Sequence, residues 1–154
     1  MGIVKFSLVI MFCMALAGIP AMAAECEGDC ENGKGAYFGK DGKIMYEGQF
    51  KDGNFNGQGT LFNRDGSKKY TGQFKDDKAN GQGTLFGANG KKLYQGQFKD
   101  NKADGKGILF SANGDKAYEG EFKDDKKQGR GKLFRADGKM LHEGLFQNDY
   151  PVER

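Results

Sequence analysis

A phrase that returns every 24 residues constrains this chain more than any other feature of its sequence. Tyr46, Tyr70, Tyr94, Tyr118 and His142 each open a copy. Two residues later stands a glycine (Gly48, Gly72, Gly96, Gly120, Gly144), and two further on a phenylalanine (Phe50, Phe74, Phe98, Phe122, Phe146). A second phrase, Gly-x-Gly, recurs at Gly33/Gly35, Gly57/Gly59, Gly81/Gly83, Gly105/Gly107 and Gly129/Gly131. It leads into Tyr37-Phe38, Leu61-Phe62, Leu85-Phe86, Leu109-Phe110 and Leu133-Phe134. A fixed period of this size marks a linear array of one supersecondary unit, each copy burying its apolar face against the next.

Each unit reads as a β-hairpin. Tyr-x-Gly-x-Phe alternates with period two and is too short for a helix. After it, Gly53, Asp77, Asn101, Asp125 and Asp149 share one column. These residue types tolerate a left-handed backbone, so the column is a turn. Between units stand Asp41-Gly42, Asp65-Gly66, Asn89-Gly90, Asn113-Gly114 and Asp137-Gly138, the strongest short hairpin signals. The pattern predicts an all-β fold, a single elongated antiparallel sheet of stacked hairpins with ten strands. Pairing only between neighbours would make a rod roughly 45–50 Å long.

The same pattern predicts a register. With Phe50 opposite Gly57, Gly48 faces Gly59 and Tyr46 faces Leu61, and all six side chains share one face. Glu47, Gln49, Gln58 and Thr60 fall on the other. Phe62 and its equivalents break this parity and are expected to pack where units join.

The first residues read differently. Lys5 precedes an apolar run from Phe6 to Ile19, then Pro20 and Ala21-Met22-Ala23, a small-x-small motif. This is the pattern of a secretory signal peptide over residues 1–23, with cleavage between Ala23 and Ala24 and a repeat domain over 24–154. The run is several residues short of a bilayer span. The expected location is periplasmic or secreted. Past the leader stand Cys26 and Cys30, for which an oxidising compartment favours a disulfide. In an extended strand their Cα atoms would lie ~13 Å apart, so the bond requires a turn at Glu27-Gly28-Asp29. In a strict 24-residue frame Cys26 takes the Phe50 column and Cys30 the Asn54 column. The first hairpin then lacks its opening strand, and the disulfide pins the stump.

These phrases resemble the MORN repeat family, whose unit runs roughly Tyr-x-Gly-x-Trp/Phe, a turn, Gly-x-Gly-x-aromatic and Asp-Gly. Tyr46-Glu47-Gly48-Gln49-Phe50-Lys51-Asp52-Gly53 and Asn56-Gly57-Gln58-Gly59 carry the likeness, which extends over about residues 30 to 147. Two departures stand out: Phe replaces the usual Trp, and each unit has one residue beyond the usual 23, after the Asp-Gly turn. The resemblance implies an elongated sheet of hairpins and roles in protein–protein contact, dimerisation or lipid-headgroup binding.

The candidate binding residues are the aromatic column, Tyr46, Phe50, Tyr70, Phe74, Tyr94, Phe98, Tyr118 and Phe122. It serves either as the core or as the floor of a groove, because a single sheet cannot cover its own face. A lysine column (Lys51, Lys75, Lys99, Lys123) could meet a phosphate-bearing surface, but Asp52, Asp76, Asp100 and Asp124 accompany it and cancel the field. The acidic pairs Asp76-Asp77 and Asp124-Asp125 lack the oxygen spacing of a calcium loop. His142 is the one histidine and stands in a tyrosine column, so no metal site and no catalytic constellation is expected. The net charge of +3 is dispersed along the chain, which argues against nucleic acid. The expected function is an exported, non-catalytic scaffold for protein–protein contact or self-association, without a cofactor. The alternative is peripheral binding of envelope lipid headgroups or polysaccharide. The last strand, from Leu141 to Phe146, is an expected edge open to a second copy.

Overall fold

The computed structural model describes residues 25–153, so the apolar leader and the Ala23/Ala24 cleavage site lie outside the described residues. Among the described residues twelve strands follow one another without a helix: β1 (Glu25–Gly28), β2 (Lys34–Phe38), β3 (Ile44–Lys51), β4 (Asn54–Phe62), β5 (Lys68–Lys75), β6 (Lys78–Phe86), β7 (Lys92–Lys99), β8 (Lys102–Phe110), β9 (Lys116–Lys123), β10 (Lys126–Phe134), β11 (Met140–Gln147) and β12 (Tyr150–Pro151). They form one open antiparallel sheet in strict sequence order. Ten strands were expected, and the two added ones are the short edges β1 and β12.

Two kinds of turn alternate along the sheet. Within a unit, Lys51 pairs with Asn54 around Asp52 and Gly53, whose φ values are 50° and 75°. Later units repeat this at Asp76/Asp77, Asp100/Asn101, Asp124/Asp125 and Asn148/Asp149. Two left-handed residues in a row make the tight turn whose twist matches the flanking strands. Between units the loop is longer. Asn63 N–H donates to the Ser67 carbonyl (2.8 Å) and Gly66 N–H to the Asn63 carbonyl (3.0 Å). Gly66 is left-handed at φ 85°, which fits a three-residue loop closed by a glycine bulge.

That longer loop accommodates the additional residue of each unit. Leu61 pairs with Tyr70 but Phe62 with Lys68, so Lys69 is left without a partner. Leu93, Ala117 and Leu141 are skipped in the same way. The 24th residue is a β-bulge, and it leaves the pairing on both sides intact.

The register departs from expectation at one place. Tyr46 faces Leu61 and Gly48 faces Gly59, but Phe50 faces Phe55 and not Gly57. Between those pairs β3 supplies only Gln49, whereas β4 supplies Asn56, Gly57 and Gln58. This bulge recurs in the next units as Phe74 opposite Ala79 and Phe98 opposite Ala103. Gly57 sits at φ 81°, and the Gln49 side chain fills the kink, its Oε1 accepting from Gln58 N–H at 2.7 Å. Gln73, Gln97 and Glu121 repeat the contact on Gln82, Lys106 and Arg130. The Gln column is therefore a plug for the bulge, beyond its expected place on a polar face.

The first unit also corrects an expectation. Cys26 pairs with Tyr37, Glu27 with Ala36 and Gly28 with Gly35, so Cys26-Glu27-Gly28 matches Tyr46-Glu47-Gly48. The opening strand is present, and Cys26 stands in the Tyr46 column. A shorter connection to β2 shifts the strict 24-residue frame here.

Candidate contact surfaces

The core is a ladder of rings. Tyr46, Phe50, Tyr70, Phe74, Tyr94, Phe98, Tyr118, Phe122 and Phe146 are all buried, none more than 7% exposed. Each tyrosine meets the phenylalanine of its own unit and that of the next edge-on. Centroid distances are 5.0 Å for Tyr94–Phe98 and for Tyr94–Phe122, and 5.2 Å for Tyr46–Phe50 and for Tyr46–Phe74. Edge-on pairs place the positive rim of one ring against the negative face of the other. The phenol of Tyr46 donates to the Gln49 carbonyl (2.9 Å), and Tyr70, Tyr94 and Tyr118 reach Gln73, Gln97 and Glu121 in the same way. Burial pushes all four phenols up to about 12.

The glycines are what let the rings lie down. A Cβ at Gly59 would sit 2.5 Å from ring carbons of Tyr46, so the paired glycines form the bed of the ring.

Above the ladder the sheet leaves a groove of about 670 Å³. Its floor includes Tyr70, Phe74, Tyr94, Phe98 and Phe122, and its wall the half-buried Leu61, Leu85 and Leu109. One column shapes it: Phe55, Ala79, Ala103, Lys127. Phe55 stacks flat on Tyr46 at 3.8 Å, while Ala79 and Ala103 leave the next two rings uncovered by any comparable side chain. At Tyr118 the Lys127 ammonium stands 5.7 Å from the ring centroid. The groove thus opens over the middle units, with Phe55 on its lining. Sequence reading passed over this column, although its large-small-small-charged order was visible.

The turn column has a second task that the sequence reading missed. Asp77 Oδ1 accepts from Phe55 N–H at 2.8 Å while Asp77 N–H donates to the Phe55 carbonyl at 3.1 Å. Asn101, Asp125 and Asp149 hold Ala79, Ala103 and Lys127 in the same two-bond clasp. Each hairpin tip is stapled to the strand of the unit before it. Asp77 and Asp125, weighed above for calcium, are committed to this clasp.

Members of the lysine and aspartate columns pair at the surface with residues of other columns. Lys123 pairs with Asp104 at 2.8 Å, Lys102 with Asp124 at 3.2 Å and Lys78 with Asp100 at 3.6 Å. The hydrogen bond from Lys123 holds the Asp104 carboxyl below the usual carboxylate range. Exposed pairs of this kind contribute little stability, about 0–1 kcal/mol each, and of the cationic row Lys123 alone takes part in these three.

At the first unit the disulfide joins Cys26 and Cys30 with Cα atoms 6.3 Å apart. Cys30 packs against the core, and a Cβ on Gly35 would lie 2.8 Å from its sulfur. The disulfide therefore covers a glycine bed as tyrosine does elsewhere. In the last unit His142 takes the tyrosine place, edge-on to Phe146 at 5.4 Å. Its Nε2 is buried and has no hydrogen-bond partner.

Four stretches, residues 46–68, 70–92, 94–116 and 118–140, match the family described as MORN repeat. The residues skipped between them, 69, 93 and 117, are the bulge residues found above. No curated protein matches the chain. MORN repeats are generally associated with binding proteins or membrane lipids, and they are typically non-catalytic modules. The matched stretches cover more than half of the chain, which belongs to the MORN repeat family.

Proposed function

We propose that this chain is an exported, non-catalytic scaffold that engages a protein partner, or another copy of itself, through its sheet. The observation that carries this reading is the groove over the middle units, mostly apolar, with Lys69, Asp77, Asn101 and Asp125 also on its lining. A mostly apolar trough with few polar groups suits a protein segment carrying aliphatic side chains. Anionic lipid is the less favoured ligand, because the lysine columns are matched by aspartates and present no net cationic face. Export rests on the leader pattern and on the cysteine pair.

Leu85→Asp tests the groove. Leu85 is half-buried in the wall, so a carboxylate there should abolish chemical crosslinking to envelope proteins while leaving the β-sheet circular dichroism in place. Salt-sensitive sedimentation of the wild-type chain with anionic vesicles, indifferent to Leu85→Asp, would instead support the lipid reading. Sequencing the N-terminus of the chain recovered from the cell envelope tests export, and the expected first residue is Ala24.

A further inference from the structure

One aromatic column takes no part in the ladder. Phe62, Phe86, Phe110 and Phe134 are half-buried, yet none belongs to the buried cluster or to the residues packed against it. The register pairs Phe62 with Lys68, Phe86 with Lys92 and Phe110 with Lys116, each pair flanking the bulge where two units join. Cross-strand partners leave the sheet on the same side, so each of these joins sets a ring beside an ammonium. At the last of them Lys116 Nζ also stands 5.6 Å from the centroid of Phe134, in the next unit.

Charge is divided unequally between the two long edges of the sheet. A meander puts all inter-unit loops on one edge and all hairpin tips on the other. The loops 39–43, 63–69, 87–92, 111–116 and 135–139 carry ten lysines and arginines against four aspartates, and all ten cations are exposed. The tips 51–54, 75–78, 99–102, 123–126 and 147–150 carry seven cations and seven aspartates. Among the described residues only Lys116 and Arg135 of the ten loop cations stand in ion pairs, with Glu119 at 2.7 Å and Asp137 at 3.9 Å. The tips are thus neutral, and the cation excess lies along the loops, beside the phenylalanines.

We propose that this loop edge binds a linear acidic polysaccharide, lying across the strands with one carboxylate and one apolar sugar face to each unit. Successive ring–ammonium pairs stand two strands apart, roughly 9–10 Å, close to the two-sugar repeat of an extended glycan chain. Lys68 and Lys92 take carboxylates, and Phe62 and Phe86 take the C–H faces of the neighbouring sugar rings. The pairing of ring with cation selects this ligand among anions. A headgroup layer or a polyphosphate answers the charges but offers no flat apolar face for the phenylalanines. Single-stranded nucleic acid stacks on aromatic rings, but its phosphates recur more closely than one to a unit. The inference goes beyond the scaffold reading and does not depend on an occupant of the groove.

Fluorescently labelled hyaluronate, with one carboxylate for every two sugars, is the probe, and its polarisation reports binding to the purified chain. Neutral dextran should not bind. Lys68→Gln combined with Lys92→Gln should weaken hyaluronate at least about fivefold, the worth of two exposed ion pairs. Lys75→Gln combined with Lys99→Gln removes the same charge from the tips, a strand length away. That pair should change binding less than about twofold in 0.1 M salt, where the Debye length is about 10 Å. Phe86→Leu keeps every charge and removes one ring, so it should weaken hyaluronate at least about threefold with the β-sheet circular dichroism in place. No binding of hyaluronate, equal losses from the loop and tip pairs, or binding indifferent to Phe86→Leu overturns the proposal. Tighter binding of oligothymidylate or of phosphatidylglycerol vesicles than of hyaluronate also overturns it, by giving the edge to nucleic acid or to lipid.

Discussion

The two ends of this sheet solve one problem by different means. Inside the array every tyrosine lies on a bed of two glycines and donates to a carbonyl three residues on, as Tyr94 does to Gln97. At the first unit the Cys26–Cys30 disulfide covers that bed. At the last unit His142 takes the place, and the carbonyl it would reach, that of Leu145, is held by Val152 N–H. One end is sealed covalently against fraying. The other has a buried nitrogen with no partner and an apolar edge. The column that propagates the array is therefore also the column that changes in the first and last units described.

The largest expected effect follows from the interior chemistry that neither end shares. The phenols of Tyr46, Tyr70, Tyr94 and Tyr118 have an ordinary value of 10.0, and burial raises each to about 12 in the folded chain. A raised folded value favours the protonated ring. The stability this brings is complete below pH 10 and is lost as the pH climbs from 10 through 12, where the unfolded chain gives up protons more readily. Four coupled rings should make that loss a cooperative collapse of the whole sheet. Denaturant midpoints measured by circular dichroism from pH 8 to 12 should stay flat and then fall steeply, together with the rise of tyrosinate absorbance. A flat profile beyond pH 12, or tyrosinate appearing near pH 10 without unfolding, would show that the rings are not the interior mortar.

A smaller effect is confined to one end. Closing the short loop from Cys26 to Cys30 stabilises by roughly 2 kcal/mol on the chain-entropy estimate. Cys30→Ser should remove about that much from the first hairpin, because each unit contacts only its neighbours. Amide exchange should speed up across β1 and β2 while β8, β9 and β10 keep their protection. Uniform loss across the sheet would mean that the array unfolds as a single block and that the contrast between its ends carries no energetic weight.

Most of this architecture was legible because the repeat supplies five readings of each position. Strand periodicity, the left-handed turn column and the pairing of Gly48 with Gly59 all follow from residue type and spacing. Two misreadings have a common physical origin. The extra residues opposite Gln49 are an insertion into the ladder and the short connection before β2 is a deletion from the repeat, and a fixed 24-residue frame shows neither. Phe50 was accordingly set against Gly57, and Cys26 four positions from its place. The eight aromatic residues raised as a contact surface prove to be buried, and the groove lies above them. Its outline depends on the Phe55, Ala79, Ala103, Lys127 column, which becomes informative only once the bulge has placed that column opposite the phenylalanines.

The smallest effect separates the first unit from the interior ones. Asn101 Oδ1 accepts from Ala79 N–H at 2.8 Å, and its φ of 70° is one that glycine adopts freely. Asn101→Gly keeps the turn and removes only the side-chain half of the clasp, so it should cost about 1 kcal/mol, the worth of one hydrogen bond. The protein already contains this variant: Gly53 holds the same column at the first turn. There the N–H that a side chain would have served, that of Glu31, is taken by Asp29 Oδ1 at 3.1 Å. Gly53→Asp should accordingly leave stability nearly unchanged, since its acceptor would find the donor occupied. Equal and opposite shifts from Asn101→Gly and Gly53→Asp in denaturant melts would mean instead that the clasp acts alike in every unit and that Asp29 does not relieve the first turn of it.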